Sequence, residues 1–122
     1  MTPTESELEI LQILWEKEPA TVRAIHDELI KKRDIGYTTT LKQFQRMTEK
    51  GILEKIDSGK AHEYKTLVKP KSIQKGMFDK FLNSVFKGST SDLLMHALGG
   101  AKTTDAELKA LEDFLLKKKK ER

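Results

Sequence analysis

Polar side chains that can hydrogen-bond to base edges recur along residues 37–51. At helical spacing, Leu41, Phe44 and Met47 fall on one face of a predicted helix. The opposite face carries hydroxyl, amide and cationic groups, on Thr39, Lys42, Gln43 and Arg46. Arg pairs with guanine, Gln with adenine and Thr with either base. The pattern is typical of a helix that contacts base edges, although an ordinary solvated helix face has a similar composition.

A predicted β-hairpin follows this helix directly. Gly51 stands where a helix ends in a left-handed cap. Residues 52–56 and 61–67 are strand-like runs on either side of a turn that contains Gly59. Three basic side chains lie near the tip: Lys55, Lys60 and His62. Contact with phosphates or the minor groove is the favoured interpretation, and protection of an exposed strand edge is the alternative. A helix joined at once to such a hairpin indicates a winged helix.

Two further helices are predicted before this unit. Thr4 and Glu7 have the spacing of a capping box for the first helix, which ends near Pro19. Thr21 caps a second helix that runs to about Lys32. Two short helices joined to a polar-faced third by a Gly-containing turn predict a helix-turn-helix. Thr21 and Arg23, at the start of the second helix, join Lys60 and His62 as candidate contacts to DNA.

The chain after residue 69 is predicted to be helical, with apolar stripes too rich for isolated helices. Ser72 and Ser91 are the expected caps of the first two helices, Gly99 and Gly100 break the chain, and Thr104 begins the last helix. The residues assigned to dimerisation are Phe78, Phe81, Leu82, Val85, Leu93, Leu94, Leu98, Leu111, Phe114 and Leu115. An identical copy is the simplest partner for them, and folding back onto the winged helix is the alternative.

The fold class predicted from these patterns is mainly α with a small β-hairpin. A winged helix-turn-helix, residues 1–69, precedes a helical dimerisation domain, residues 70–122. Charge follows the same division, because residues 36–89 carry eleven Lys and Arg against five Asp and Glu, or +6, while the whole chain carries +4. This concentration of positive charge favours a polyanionic partner.

Composition also excludes several classes of site. The chain has no cysteine, so it has neither disulfides nor a thiolate metal site. No apolar run approaches the roughly 20 residues that span a bilayer, and we expect a cytoplasmic protein. His26, His62 and His96 lie on separate predicted elements, and no phosphate-binding loop or catalytic triad is recognisable. We therefore expect no enzymatic activity, no metal or other cofactor and no small-molecule ligand.

Three blocks of the chain resemble the penicillinase-repressor type of transcriptional regulator, which includes BlaI, MecI and the copper-responsive CopY branch. The first block is residues 4–15, in which Glu, Leu and a closing Trp recur. The second is residues 20–25, at the start of the second helix. The third runs from Gly36 through Glu49-Lys50-Gly51 to Ile52-Leu53 and is similar almost position for position. The resemblance covers residues 4–67 well and the helical tail more loosely.

This resemblance implies a homodimeric repressor that binds a palindromic operator in double-stranded DNA, with Thr38–Thr40, Lys42, Gln43 and Arg46 facing the major groove. It also implies a membrane sensor protease as a partner, since members of the antibiotic-responsive branch are inactivated by cleavage of an Asn-Phe bond in the C-terminal helices. Residues 93–98 occupy the comparable stretch and contain no Asn-Phe bond. The copper branch has a C-terminal cysteine cluster, which this chain lacks.

The alternative function is a winged-helix module for protein–protein assembly, without sequence-specific DNA binding. In that case the polar helix would be buried against a protein partner. Salt-dependent binding to duplex DNA distinguishes the two functions.

Overall fold

The computed structural model describes residues 2–57, 59, 61–100 and 102–122. Within these residues the elements follow in the order α1 (Glu5–Lys17), α2 (Val22–Leu29), α3 (Tyr37–Glu49), β1 (Leu53–Asp57), β2 (His62–Thr66), α4 (Pro70–Phe86), α5 (Thr90–Gly100) and α6 (Asp105–Lys120). The mainly α fold with a small β-hairpin is as predicted. The chain divides into two compact units, residues 1–78 and 79–122. The functional division at residues 69 and 70 stays a prediction.

Local capping signals define the first two helices. The Thr4 hydroxyl accepts a hydrogen bond from the Glu7 backbone, and the Glu7 carboxylate accepts one from the Thr4 backbone, which completes the predicted capping box. The Thr21 hydroxyl accepts from the Ala24 amide at the start of α2. The predicted end of α2 at Lys32 is wrong, because the chain tightens into successive turns after Leu29.

The core of the N-terminal unit lies between α1, α2, α3 and the hairpin. The fully buried side chains include Leu11 and Leu14 from α1, Ile25 and Leu29 from α2, and Phe44 and Met47 from α3. Phe44 packs against Tyr64 of β2 in an edge-to-face arrangement, with ring centroids 5.0 Å apart. The apolar face of α3 therefore fixes which side of this helix can face outward.

The hairpin is antiparallel, with register from Leu53 opposite Thr66 to Asp57 opposite His62. Ala20, in the connection between α1 and α2, exchanges two backbone hydrogen bonds with Tyr64, of 2.8 and 3.1 Å. Gly51 has a φ of +79° and makes the left-handed turn from α3 into the hairpin. These contacts tie the hairpin to the helices on both sides.

The exit from the hairpin is held by the indole of Trp15. Its Nε1 donates a hydrogen bond of 3.0 Å to the carbonyl oxygen of Val68. α4 then begins at Pro70, so the predicted Ser72 cap is wrong; proline is well suited to a first helical position because its missing N–H has no partner there. Ile73, in the first turns of α4, is buried.

The next helix departs from the prediction at its cap. Ser89, and not Ser91, accepts a hydrogen bond from the Asp92 amide at the start of α5. α5 ends at Gly100, where the Gly99-Gly100 break is predicted. The predicted capping box of Thr104 and Glu107 is present at the start of α6. None of the described helices is both long enough and apolar enough to cross a membrane.

The apolar side chains assigned to dimerisation are largely exposed. No residue of α5 or α6 is buried. Leu82 and Leu93 are half-buried. The other eight have exposed fractions between 37% and 57%: Phe78, Phe81, Val85, Leu94, Leu98, Leu111, Phe114 and Leu115. The helices of the second unit therefore leave many of their apolar side chains exposed.

Candidate nucleic-acid interface

One face of α3 is open to solvent and rich in hydrogen-bonding groups. Its exposed side chains are Thr38, Thr39, Lys42, Gln45, Arg46 and Glu49. Their spacing places them on one side of the helix, opposite Phe44 and Met47. Within the described part of the chain, Lys42 and Arg46 make no ion pair, so both cations remain available. This face can donate hydrogen bonds to bases and phosphates.

Two predicted members of this face lie elsewhere. Thr40 is fully buried, and its hydroxyl lies 2.9 Å from Nδ1 of His26. Gln43 is only 8% exposed. Both positions fall on the inward side of α3, at helical spacing from Phe44 and Met47. The prediction that Thr40 and Gln43 face outward is therefore wrong, and Thr40 supports the position of α3 from within.

Gln45 is a candidate that the sequence analysis missed. Its side chain is exposed, one turn from Lys42 on the same face of α3. The signal was present in the sequence: positions 38, 42, 45 and 49 lie opposite the apolar residues at 44 and 47. An amide at this position is well suited to bidentate contact with adenine.

Contacts of the Tyr37 ring join the start of α3 to α2. The guanidinium carbon of Arg23 lies 4.0 Å from the ring centroid of Tyr37, a cation–π arrangement. Tyr37 meets the ring of His26 edge to face, with centroids 5.4 Å apart. Arg23 is therefore held next to α3, as a residue that contacts a flanking phosphate must be.

A groove of about 390 Å³ separates this flank from the hairpin. Its walls carry Thr21, Arg23, Tyr37, Gln45, Lys55 and His62, and its apolar surface includes Leu41 and Tyr64. His62 is exposed at the start of β2. Lys60, the remaining predicted contact in the hairpin, lies outside the described residues.

The other flank of α3 faces the start of α1. The Lys50 ammonium lies 2.8 Å from Oε2 of Glu7, whose carboxylate is buried. Burial raises the pKa of the Glu7 carboxyl, but the hydrogen bonds from Lys50 and Thr4 together with the Lys50 charge outweigh this effect and hold the pKa below its ordinary value of 4.5. This ion pair joins α1 to the end of α3.

Comparison with known sequences identifies the group of proteins to which this architecture belongs. The penicillinase repressor profile matches residues 3–117, nearly the whole chain. The chain belongs to the penicillinase repressor family. It is therefore a DNA-binding transcriptional repressor by family, and the resemblance noted in the sequence is confirmed.

Individual proteins that are similar to this penicillinase repressor family member support the same assignment. The chain is 32% identical over 109 residues to the transcriptional regulator BlaI of Mycobacterium tuberculosis, covering 86% of this chain and 79% of that protein. It is 26% identical over 115 residues to the methicillin resistance regulatory protein MecI of Mammaliicoccus sciuri, covering 94% of each. These relatives are regulators and not enzymes.

A solved structure supports the fold. A MarR family protein from Bacillus stearothermophilus superposes with a TM-score of 0.58 at 20% identity, covering 99% of this chain and 76% of that one. At this identity the similarity shows the winged-helix fold alone.

Within this family fold, the structure brings together most of the predicted contact residues. Thr38, Thr39, Lys42 and Arg46 share the exposed face of α3. Thr21, Arg23 and His62 line the groove on the hairpin flank. Gln43 lies on the opposite flank, beside the start of α1. Their contact with DNA stays a prediction.

Proposed function

We propose that this protein represses transcription as a homodimer bound to a palindromic operator, with the exposed face of α3 in the major groove. The observation that carries the proposal is the set of unpaired donors on that face, above all Arg46 and Lys42. Lys42 and Arg46 stand among hydroxyl and amide groups, so this face can donate hydrogen bonds to base edges and to phosphates. Family membership supports the same conclusion.

The dimensions of α3 fit this role. A helix with its side chains is about 10–12 Å wide, and the major groove of B-DNA is about 12 Å wide. With α3 in the groove, Thr39, Gln45 and Arg46 contact base edges. Arg23 and the hairpin then lie beside the phosphates that border the groove.

The C-terminal helices supply the dimer contact in this proposal. α5 and α6 bury no side chain of their own and leave several Leu and Phe residues exposed, as surfaces that bind another protein do. A two-fold contact between identical surfaces would cover them. Two DNA-binding units on one dimer make the second half-site contact intramolecular, which raises the affinity by orders of magnitude.

Release of the operator follows from loss of this dimer, through disruption or proteolysis of α4–α6. A membrane sensor protease is the proposed trigger. Residues 87–89, between α4 and α5, are the favoured cleavage segment, because they lie outside a helix and Lys87 and Gly88 both have positive φ. Residues 102–104, before α6, offer a second segment outside a helix. Cleavage at either place would leave the DNA-binding face of α3 intact.

The test begins with selection of a preferred operator from random duplex DNA by the full-length protein. Arg46→Ala should then weaken binding to the selected site by about 1–3 kcal/mol and relax the preference for one base pair in each half-site. Lys71→Ala is the matched control, since it removes an exposed cation from α4, away from α3. The control should leave the base preference unchanged.

Two results would contradict the proposal. One is the absence of any inverted repeat among the selected sequences. The other is an Arg46→Ala protein with unchanged affinity and base preference. If the protein showed no salt-dependent binding to duplex DNA, the result would instead favour the protein–protein assembly function.

A further inference from the structure

A small polar pocket lies between the start of α1 and the flank of α3 that faces away from the hairpin. Its volume is about 320 Å³. The residues around it are Thr4, Ser6, Glu7, Gln43, Arg46 and Lys50. Every one of them is polar or charged, which sets this pocket apart from the groove on the hairpin flank with its apolar surface.

Gln43 is the first sign that the pocket receives a ligand. Its side chain is more than nine-tenths buried, lines the pocket, and has an oxygen with no hydrogen-bond partner in the described structure. A buried amide without a partner is unfavourable unless something binds to it. The amide nitrogen of Gln43 also makes no hydrogen bond among the described residues and, unlike the oxygen, is not fully buried, so it is the N–H donor that can face the pocket.

The start of α1 is the second sign. The Thr4 hydroxyl occupies the Glu7 amide, and the Glu7 carboxylate occupies the Thr4 amide. Among the described residues, the amides of Glu5 and Ser6 have no acceptor. The first turn of a helix carries a partial positive charge from such free N–H groups. An acceptor with negative charge would satisfy them.

The balance of charge in the pocket also favours an anion. Lys50 neutralises the carboxylate of Glu7 at 2.8 Å. Arg46, which lines the same pocket, has no ion pair in the described part of the chain and is exposed. Glu5 is the other acidic residue in the first turn of α1, and its side chain is exposed to solvent. One guanidinium therefore remains unpaired at the pocket, beside first-turn N–H groups that have no acceptor among the described residues.

We propose that this pocket binds one backbone phosphate of the operator in each half-site. The inference rests on the proposed function and adds a second phosphate contact to it. Arg46 belongs both to the exposed face of α3 and to the pocket, so the pocket adjoins the surface placed in the major groove. Since α3 is about as wide as that groove, its two flanks meet the two bordering backbones. Arg23 and the hairpin contact the phosphates of one strand, and Gln43, Ser6 and Lys50 contact a phosphate of the other.

The experiment removes single phosphate charges from the selected operator by methylphosphonate substitution at each position in turn. With the wild-type protein, substitution at the bound phosphate should lower the affinity about tenfold, the size of one hydrogen bond to a charged group. With Gln43→Met, which keeps the side-chain length and removes the amide, the same substitution should cost about threefold or less, because the two changes remove a shared contact.

Gln45→Met is the matched control, because it makes the same replacement on the hairpin side of α3. It should lower the affinity for the operator without reducing the effect of that methylphosphonate. Thermal unfolding of both variants, measured alongside, should show that each is folded. A pocket that binds no phosphate would give the same methylphosphonate profile for Gln43→Met and for the wild type, and this result would overturn the inference.

The alternative ligand for this pocket is a free anion instead of an operator phosphate. Inorganic phosphate, titrated at constant ionic strength, should shift the amide NMR signals of Glu5 and Ser6 only weakly, at tens of millimolar or above. Tight binding of inorganic phosphate without coupling to any operator position would overturn the assignment to DNA. If the selected operator binds with an Arg46-dependent base preference and no coupling appears, this inference fails while the proposed function stands.

Discussion

At the scale of single residues, Thr40 and His26 form a buried hydrogen bond that links α3 to α2. The Thr40 hydroxyl and His26 Nδ1 are 2.9 Å apart, and both side chains are excluded from water. His26 also contacts Tyr37, on which Arg23 lies. The buried hydrogen bond between Thr40 and His26 therefore helps to fix which face of α3 points outward, and it helps to hold Arg23 beside that face.

Replacement of the Thr40 hydroxyl should lower the free energy of unfolding more than replacement of a hydroxyl on the surface does. Thr40→Val leaves Nδ1 of His26 without a partner, and we expect the free energy of unfolding to fall by about 1–3 kcal/mol. Thr39→Val, one residue away on the exposed face, should change it by no more than about 0.5 kcal/mol. Urea denaturation of both variants measures the difference. Equal stability of the two would show that the buried bond contributes nothing.

Glu7 makes stability depend on pH at the acid end. Its carboxyl has a pKa below the ordinary value of 4.5 in the folded protein, so the folded state holds the charged form more strongly than the unfolded chain does. The resulting stabilisation is complete above the unfolded pKa and is lost as the pH falls through the lower folded value. Glu7→Gln should therefore lose less stability than the wild type between neutral pH and pH values below 4.5. Thermal unfolding across this range provides the comparison, and identical pH profiles would contradict it.

The residues that sequence reasoning misplaced show what it lacks at this scale. Thr40 and Gln43 have side chains typical of an exposed face, and the apolar spacing of Leu41, Phe44 and Met47 left the rotation of the helix uncertain. Thr40 lies on the inward side of α3, at helical spacing from Phe44, and His26, fourteen residues earlier, provides the hydrogen-bond partner that its buried hydroxyl needs. A partner so distant in the sequence cannot be identified from local pattern.

At the scale of elements, the connection from α3 to β1 depends on Gly51. Its φ of +79° lies in the left-handed region, while no heavy atom lies within 4 Å of the position a Cβ would take. Gly51→Ala should therefore be destabilising by about 1–2 kcal/mol through backbone strain alone. Gly76→Ala, inside α4 and equally unobstructed, should instead stabilise by about 0.5–1 kcal/mol. Thermal denaturation that shifts in the same direction for both would contradict this account.

Elements with local signals were predicted well, and elements with tertiary causes were not. The capping boxes at Thr4 and Thr104 lie within four residues of sequence, and both were found. The pairing of Ala20 with Tyr64 joins the connection after α1 to β2, and no local pattern in the sequence predicts it. The same holds for the early end of α2, which follows from turns that its amphipathic pattern does not show.

At the scale of the whole molecule, the proposal separates DNA contact from assembly. A fragment of residues 1–78, the N-terminal unit, should be folded and monomeric, because it contains the buried core and Ile73 but lacks α5 and α6. The fragment of residues 1–69 tests the predicted domain boundary itself. Sedimentation should show a dimer for the full chain only. A dimer formed by either fragment would place the contact elsewhere.

Operator geometry should follow from the dimer. Half-sites should be inverted repeats whose centres are one or more helical turns apart, each turn being about 34 Å. The fragment of residues 1–78 should bind one half-site, and its affinity should fall by orders of magnitude relative to the full chain. Titration of operators with one and two half-sites distinguishes the cases. Equal affinity of fragment and full chain for the complete operator would refute release by loss of the dimer.

The hydrogen bond between the Trp15 indole and the Val68 carbonyl has an optical consequence. Trp15 is the only tryptophan in the chain, so all indole emission comes from the point where the hairpin passes into α4. An event that detaches this joint should shift the emission to longer wavelength as water reaches the ring. Cleavage confined to residues 87–89 should leave the colour of the emission unchanged while the dimer is lost. The emission wavelength therefore reports, in an unlabelled sample, whether an inducing signal detaches the joint at Val68 or acts only on the helices that follow it.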